Sequence, residues 1–97
     1  MNTKINKVAV LGSGIMGSRI ACHFANIGVE VLLLDIVPKD AGDDKKKRNQ
    51  IVNDALKFTL KSNPAPLYRK SYISRITTGN FDDNLKDIAD CDWVIEV

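Results

Sequence analysis

The chain has 97 residues, a formal net charge of +2 and 44% hydrophobic residues, a composition that suits one small domain with a modest core. So small a net charge gives no electrostatic reason to expect a nucleic-acid partner. The sequence offers no run near the ~20 apolar residues that span a membrane, and residues 1–7 lack the apolar core of a secretion signal. We therefore expect no membrane association.

The predicted elements alternate between short apolar runs and segments with helical periodicity. Ile20, Phe24 and Ile27 recur at helical spacing, and the Gly28 that follows is a typical helix stop. Prolines within residues 63–66 should end the second helix, and the Gly79-Asn80 pair is predicted to form a turn. In chain order, the sequence predicts strands at 7–12, 29–35, 72–78 and 92–97, and helices at 15–27, 49–62 and 82–90.

This alternation predicts an α/β fold, a doubly wound parallel sheet with strand order 3-2-1-4. Such sheets usually contain more than four strands, so we expect residues 1–97 to be the N-terminal part of a larger dinucleotide-binding domain, truncated after the fourth strand. A complete four-stranded domain is the alternative. In the third helix, Leu85, Ile88 and Ala89 are expected to point inward.

Two cysteines and one histidine are the candidate metal or redox residues. Cys22 and Cys91 are expected to be buried small hydrophobes within regular elements, which fits a reducing compartment such as the cytoplasm. Together with His23 they are too few and too widely spaced for a metal site, so none is predicted. His23 is expected to be a partly buried packing residue of the first helix.

A glycine-rich loop between the first strand and the first helix is the strongest functional signal. It reads Gly12-Ser13-Gly14-Ile15-Met16-Gly17, and Asp35 follows at the end of the next strand, 18 residues beyond the third glycine. Its glycines permit a tight turn, a close approach of phosphate to the backbone, and close packing of helix on strand, while the acid accepts hydrogen bonds from ribose hydroxyls. This context indicates a dinucleotide-binding Rossmann fold.

The same segment closely resembles the start of the 3-hydroxyacyl-CoA dehydrogenase family, which reads roughly V-x-G-x-G-x-M-G-x-x-I-A-x-x-x-A-x-x-G-x-x-V-x-L-x-D. Residues 76–78 and 89–96 resemble the family's third-strand and fourth-strand motifs, whereas residues 36–50 are shorter and more polar than its pattern. The whole is most similar to the large bacterial members fused to an enoyl-CoA hydratase domain. The matching positions are Gly12, Gly14, Met16, Gly17, Ile20, Ala21, Ala25, Gly28, Val31, Leu33 and Asp35.

The resemblance implies an oxidoreductase that uses NAD to oxidise an L-3-hydroxyacyl-CoA to the 3-ketoacyl-CoA in fatty acid β-oxidation. The family's catalytic histidine, glutamate, serine and asparagine are not matched within these residues, so no catalytic residue is assigned, and neither His23 nor Glu96 takes such a role. The implied partner is an acyl-CoA substrate, and the resemblance leaves a homodimer open.

The resemblance further implies that the chain holds the adenosine and pyrophosphate half of an NAD site. Gly12, Ser13, Gly14 and Gly17 would surround the phosphates, to which Ile15 and Met16 would donate backbone N–H groups. Asp35 would bind the ribose, Ile36 would lie against the adenine, and Val97 would line the path toward the nicotinamide. Asp35 favours NAD over NADP, because its carboxylate would repel a 2′-phosphate and no arginine follows it directly.

Three alternatives remain at the level of sequence. The chain could belong to another NAD-dependent Rossmann dehydrogenase, of the 3-hydroxyisobutyrate or 6-phosphogluconate type, which shares G-x-G-x-M-G. It could also be a nucleotide-binding module without catalysis. Finally, the basic residues of 45–48 with Lys57 and Lys61 could contact the phosphates of CoA, although we favour a solvated helix surface, as is usual for such charge runs.

Overall fold

A four-stranded parallel sheet organises the chain in the computed structural model, which describes residues 5–62 and 66–97. The strands are β1 (Lys7–Leu11), β2 (Glu30–Asp35), β3 (Ile76–Asn80) and β4 (Trp93–Glu96), in the order β3-β2-β1-β4. All three pairings are parallel, and the predicted strand order is confirmed. The central strands are apolar on both faces because both faces are covered, and the side chains of Val8, Val10, Leu33 and Leu34 are fully buried.

Helical segments cover the two faces of the sheet. They are α1 (Ile15–Asn26), α2 (Lys45–Arg48), α3 (Gln50–Leu60) and α4 (Phe81–Asn84), with 3₁₀ helices at Lys70–Arg75 and Leu85–Asp90. Buried residues of α1 and α3, such as Ala25 and Val52, join the larger core on one face. Phe81 and Ile88 pack on a smaller core on the other face. The doubly wound α/β architecture predicted from the sequence is therefore confirmed.

The first helix and its exit agree with the sequence pattern. Gly28 has a φ of +89°, the left-handed conformation expected at a helix stop. Cys22 is buried in the core as predicted, but Cys91 is only half-buried and lies in the turn after the second 3₁₀ helix. His23 was expected to be partly buried, and that is wrong: its side chain is exposed and meets Phe24 edge to face.

The segment that leads into β3 differs most from its prediction. Residues 72–75, predicted as strand, belong to the 3₁₀ helix Lys70–Arg75. Arg75 donates a hydrogen bond to the carbonyl of Ala25 near the end of α1, and its guanidinium lies 4.0 Å above the ring of Tyr72. These contacts hold Arg75 at the end of the 3₁₀ helix, and β3 begins at the next residue, Ile76.

The predicted turn at Gly79-Asn80 is also wrong, because both residues are part of β3. Asn80 has extended backbone angles, and its side-chain oxygen accepts a hydrogen bond from the N–H of Asp83, so that it caps α4. The predicted helix at 82–90 is divided into α4 and a 3₁₀ helix. Leu85 is 45% exposed and Ala89 is exposed, so of the three residues expected to point inward only Ile88 packs against the core.

The predicted second helix begins earlier and in two parts. Asp44 accepts a hydrogen bond from the N–H of Lys46 at the start of the one-turn helix α2, and α3 follows after Asn49. Most of the proline signal at 63–66 lies outside the described residues. No helix in the described ranges is long and apolar enough to cross a membrane.

Candidate functional site

The glycine loop joins β1 to α1 at the carboxyl edge of the sheet. Gly12 has a φ of +106°, which side-chain-bearing residues rarely adopt, and its N–H donates to the carbonyl of Leu34 at 2.8 Å. Gly17 packs against the loop so closely that a Cβ atom would lie 1.8 Å from the carbonyl oxygen of Gly12. These two glycines therefore permit the tight turn and the close packing of helix on strand that the sequence predicts.

The N-terminus of α1 offers hydrogen-bond donors to an anion. Ser18 is the first residue of α1 whose N–H reaches a backbone acceptor, with Ser13 O at 2.8 Å and Gly14 O at 3.1 Å. The earlier N–H groups of Ile15 and Met16 have no intrahelical partner, and the capping residue Gly14 supplies no side-chain acceptor. The helix dipole adds partial positive charge there.

Open space lies directly beside these donors. A Cβ atom added at Gly14 would meet nothing within 4 Å, and Gly14 is exposed, so the backbone is open to the approach of a ligand group there. The first turn of α1 holds no acidic residue that would repel an anion. Free N–H groups, an unfilled approach to the backbone and the helix dipole together fit the pyrophosphate of a dinucleotide.

Asp35 lies beside the loop at the end of β2. Its Oδ2 atom accepts hydrogen bonds from the Ser13 N–H at 2.8 Å and from the Ser13 hydroxyl, and its Oδ1 atom accepts from the Ile36 N–H at 2.7 Å. Partial burial raises the pKa of Asp35, but the hydrogen bonds from Ser13 and Ile36 outweigh it and hold the pKa below its ordinary value. The half-buried carboxylate is therefore kept ionised.

Ser13 has a role that the sequence did not reveal. We expected it only to be a loop residue near the phosphates, but its side chain is fully buried and points to Asp35 rather than to the open space at Gly14. The sequence gives one signal for this contact: a serine stands between two glycines of the loop, and an acid stands at the end of the next strand. That signal is weak, because the loop's variable positions tolerate many residue types.

The apolar residues expected to contact the cofactor are exposed and lie next to the glycine loop, to Asp35 or to the end of β4. Ile15, Met16, Ile36 and Val97 are 62%, 66%, 57% and 53% exposed. Val97 donates its N–H to the carbonyl of Leu11 at 3.0 Å, and its own carbonyl would lie 3.4 Å from a Cβ at Gly12. The structure therefore brings the glycine loop, Asp35, Ile36 and Val97 together at one edge of the sheet.

The basic residues separate into two groups. Arg48 is held by a bidentate pair with Asp83, at 2.9 and 3.1 Å, and by a bond to the carbonyl of Gly42, which makes it structural. Lys46, Lys47 and Lys57 instead line a surface cavity of about 460 Å³ with polar and acidic neighbours. Lys61 is exposed on the same helical segment. An open surface of mixed charge is typical of a solvated helix face, which is the interpretation that we favoured for these lysines.

Several curated proteins similar to this chain are named 3-hydroxyacyl-CoA dehydrogenases or fatty acid oxidation enzymes. A probable 3-hydroxyacyl-CoA dehydrogenase of Bacillus subtilis is 46% identical over 107 residues, covering 100% of this chain and 14% of the relative. A probable 3-hydroxyacyl-CoA dehydrogenase of Deinococcus radiodurans is 43% identical, covering 96% of this chain and 26% of the relative. A putative fatty acid oxidation complex trifunctional enzyme of Rickettsia felis is 45% identical over 97 residues, 13% of its length. The chain thus spans about a quarter or less of these relatives.

Solved structures that superpose on this chain include a dehydrogenase and a diketoreductase. The (S)-3-hydroxybutyryl-CoA dehydrogenase of Ralstonia eutropha superposes with a TM-score of 0.58 at 28% identity, covering 97% of this chain and 31% of that one. A diketoreductase gives a TM-score of 0.60 at 32% identity, covering 99% and 32%. The family model described as "3-hydroxyacyl-CoA dehydrogenase, NAD binding domain" matches residues 7–97. The chain therefore belongs to the 3-hydroxyacyl-CoA dehydrogenase NAD-binding domain family, whose cofactor is NAD.

Proposed function

We propose that the chain is the NAD-binding portion of an enzyme that oxidises L-3-hydroxyacyl-CoA to 3-ketoacyl-CoA in fatty acid β-oxidation. The names of the curated relatives support this activity, and the free cysteines, Cys22 and Cys91, fit a cytoplasmic location. We assign residues 1–97 to the N-terminal part of the dinucleotide-binding domain. Acid–base chemistry and acyl-CoA recognition are assigned to other parts of the enzyme, so this chain alone is expected to be catalytically inert.

One observation carries the proposal: the donors at the start of α1, the open space at Gly14 and the carboxylate of Asp35 lie side by side at the carboxyl edge of the sheet, joined by the hydrogen bond of Ser13 to Asp35. In the bound complex, Ile15 and Met16 donate backbone N–H groups to the pyrophosphate. Asp35 accepts from the adenosine ribose, and Ile36 packs against the adenine. NAD supplies the nicotinamide that accepts a hydride, and Val97 lies toward that end of the site.

Asp35 also carries the proposed preference for NAD over NADP. Its carboxylate is ionised, and the residue that follows it is the apolar Ile36 rather than an arginine that could neutralise a 2′-phosphate. A 2′-phosphate would therefore meet an uncompensated negative charge, and specificity would arise from repulsion as well as from attraction.

The test is calorimetric titration of the folded chain with NAD and NADP, beside an Asp35→Ala variant. We expect NAD binding to weaken by about tenfold or more in Asp35→Ala, because a charge-assisted hydrogen bond contributes roughly 1.5–3 kcal/mol. The wild-type chain should bind NADP more weakly than NAD, and the variant should lose that preference. The matched control is Asp40→Ala, which removes the same charge at an exposed position in the loop after β2.

A folded wild-type chain that binds neither nucleotide contradicts the proposed site. Equal effects of Asp35→Ala and Asp40→Ala would show that net charge rather than a specific contact governs binding. Circular dichroism on each sample shows whether the chain is folded before either result is interpreted.

A further inference from the structure

We propose that Ser13 is a positioning residue for NAD binding: its two donors hold Oδ2 of Asp35 and leave Oδ1 as the atom that accepts from the ribose. This inference rests on the proposed function. It concerns a position that the dinucleotide-binding motif leaves variable, and it acts through the acid rather than by contact with the nucleotide.

The geometry assigns the two oxygens different tasks. Each carboxylate oxygen has about two acceptor positions. On Oδ2, both are occupied by the N–H and the hydroxyl of Ser13. On Oδ1, the N–H of Ile36 occupies one at 2.7 Å, and one remains. The acceptor capacity that the described contacts leave for a ribose hydroxyl is therefore on Oδ1.

Burial shows that Ser13 acts from beneath the site. The Ser13 side chain is fully buried, whereas Asp35 is only half-buried. A ribose can therefore reach the carboxylate of Asp35 but not the hydroxyl of Ser13. The hydroxyl orients and polarises the carboxylate in the way that a second layer of hydrogen bonds supports a binding residue in other sites.

Ser13 is itself anchored to the first helix. The hydroxyl of Ser18 donates to the carbonyl of Ser13 at 2.6 Å, and the N–H of Ser18 donates to the same oxygen at 2.8 Å. Ser18 is fully buried as well. The backbone of Ser13 is thus tied to α1 while its side chain reaches the end of β2, so the residue links the phosphate-binding and ribose-binding halves of the site.

The hydroxyl also supports the charge of Asp35, which no cation among the described residues contacts. The groups that contact or pair with Asp35 are Ser13, Ile36 and, opposite it in β3, Asn80, and all three are uncharged. After the opposing effect of burial, the Ser13 hydroxyl is the leading cause that lowers the pKa of Asp35. Its removal should raise that pKa, so the acid-side loss of NAD binding should begin at a higher pH.

The experiment compares Ser13→Ala with Ser18→Ala, which removes an equally buried hydroxyl from α1 that does not contact Asp35. The backbone N–H at position 18 still donates to the carbonyl of Ser13 in this control. One readout is the pKa of the Asp35 carboxyl by carbon-13 NMR without nucleotide, and the other is the NAD dissociation constant as a function of pH. We expect Ser13→Ala to raise the carboxyl pKa and to weaken NAD binding by about three- to tenfold. Ser18→Ala should leave the carboxyl pKa unchanged.

Ser13→Cys serves as a second variant, because its thiol leaves no cavity in place of the hydroxyl, being somewhat larger, but donates only weakly. It should raise the carboxyl pKa as Ser13→Ala does, even if the alanine variant does not fold. A wild-type chain that does not bind NAD contradicts the proposed function. A wild-type chain that binds NAD, with Ser13→Ala and Ser13→Cys unchanged in carboxyl pKa and affinity, overturns the role of Ser13 alone. Equal pKa shifts in Ser13→Ala and Ser18→Ala would also overturn it.

Discussion

Gly17 is crowded by the loop and Gly14 is open to solvent. We therefore expect substitutions at Gly17 to affect the stability of the fold, and substitutions at Gly14 to affect NAD binding. A Cβ at Gly17 would overlap the carbonyl oxygen of Gly12 at 1.8 Å, whereas a Cβ at Gly14 would meet nothing within 4 Å. We expect Gly17→Ala to lower the free energy of unfolding by about 3 kcal/mol, because the helix must move away from the loop. Gly14→Ala should cost about 1 kcal/mol or less and still abolish NAD binding, because its methyl group occupies the approach to the backbone.

Chemical denaturation and calorimetric titration of both glycine variants check this pair of expectations. Gly28→Ala is a useful reference, because it alters a left-handed glycine at the far end of α1 and should affect stability without a specific effect on NAD affinity. Retained NAD binding by a folded Gly14→Ala chain would show that the phosphates do not approach the backbone there.

The residues that could be assigned from sequence are those whose task is set by local backbone geometry. Gly12 and Gly17 serve a strand–turn–helix junction, and their positions follow from spacing alone. Asp35 can be recognised because an acid at the end of the second strand follows the glycine loop at a characteristic spacing in the sequence. The hydroxyl contact of Ser13 joins residues 22 positions apart, and its direction depends on packing beneath the loop.

At the scale of elements, one buried amide organises the junction between β3, α3 and α4. Asn80 is 1% exposed, and its Nδ2 donates to Asn49 at 2.8 Å and to Asp83 at 3.0 Å. Its Oδ1 accepts from the N–H of Asp83 at 2.8 Å, and its own N–H donates to Asn84 at 3.1 Å. Every donor and acceptor of the side chain is thus directed to a different partner group.

We expect Asn80→Ala to lower the free energy of unfolding by about 1–2 kcal/mol, because it removes a helix cap and the side-chain hydrogen bonds of a buried amide. Asn80→Asp keeps the capping oxygen but places a second carboxylate beside Asp83. It should be least stable at neutral pH and should recover stability as the pH falls and the carboxylates are protonated. Urea denaturation at several pH values measures both effects, and a pH-independent loss in Asn80→Asp would contradict the assignment.

The elements differ in how well the sequence predicts them, depending on whether their ends are set by local patterns or by contacts with other elements. The elements β1, α1 and β2 follow from strong local patterns, because each is an apolar run or an amphipathic period with clear ends. At the start of β3, Arg75 is bonded to the end of α1, and at its end Asn80 caps α4. Such contacts lie between elements, so propensity alone predicts a strand too early and a turn at Gly79.

At the scale of the whole molecule, β4 forms one edge of the sheet and keeps much of its apolar surface in solvent. Trp93 is 51% exposed although it packs edge to face on Phe24, and Val94 is 39% exposed. Edge strands of this kind present backbone donors and acceptors to other chains. We therefore expect concentration-dependent self-association of the isolated chain.

Val94→Lys should suppress this association, because an edge lysine disfavours strand pairing, and should change the free energy of unfolding by no more than about 0.5 kcal/mol. Phe58→Lys is the control, since Phe58 is a 67% exposed apolar residue on α3 rather than on the edge strand. Sedimentation velocity at increasing concentration compares the variants. If Phe58→Lys suppresses association and Val94→Lys does not, the contact surface is not the β4 edge.

The position of β4 beside β1 also has a consequence for the order of folding. β1 meets β2 across about 23 residues of chain, as in the pair Lys7 and Glu30, whereas Asp92 must return across 85 and 86 residues to accept hydrogen bonds from the N–H groups of Lys7 and Asn6. Loop-closure entropy makes the longer return costlier by about 1 kcal/mol. The β1–β2 unit, which carries the glycine loop and Asp35, should therefore assemble early, and the docking of β4 should be the late, slow event that closes the sheet.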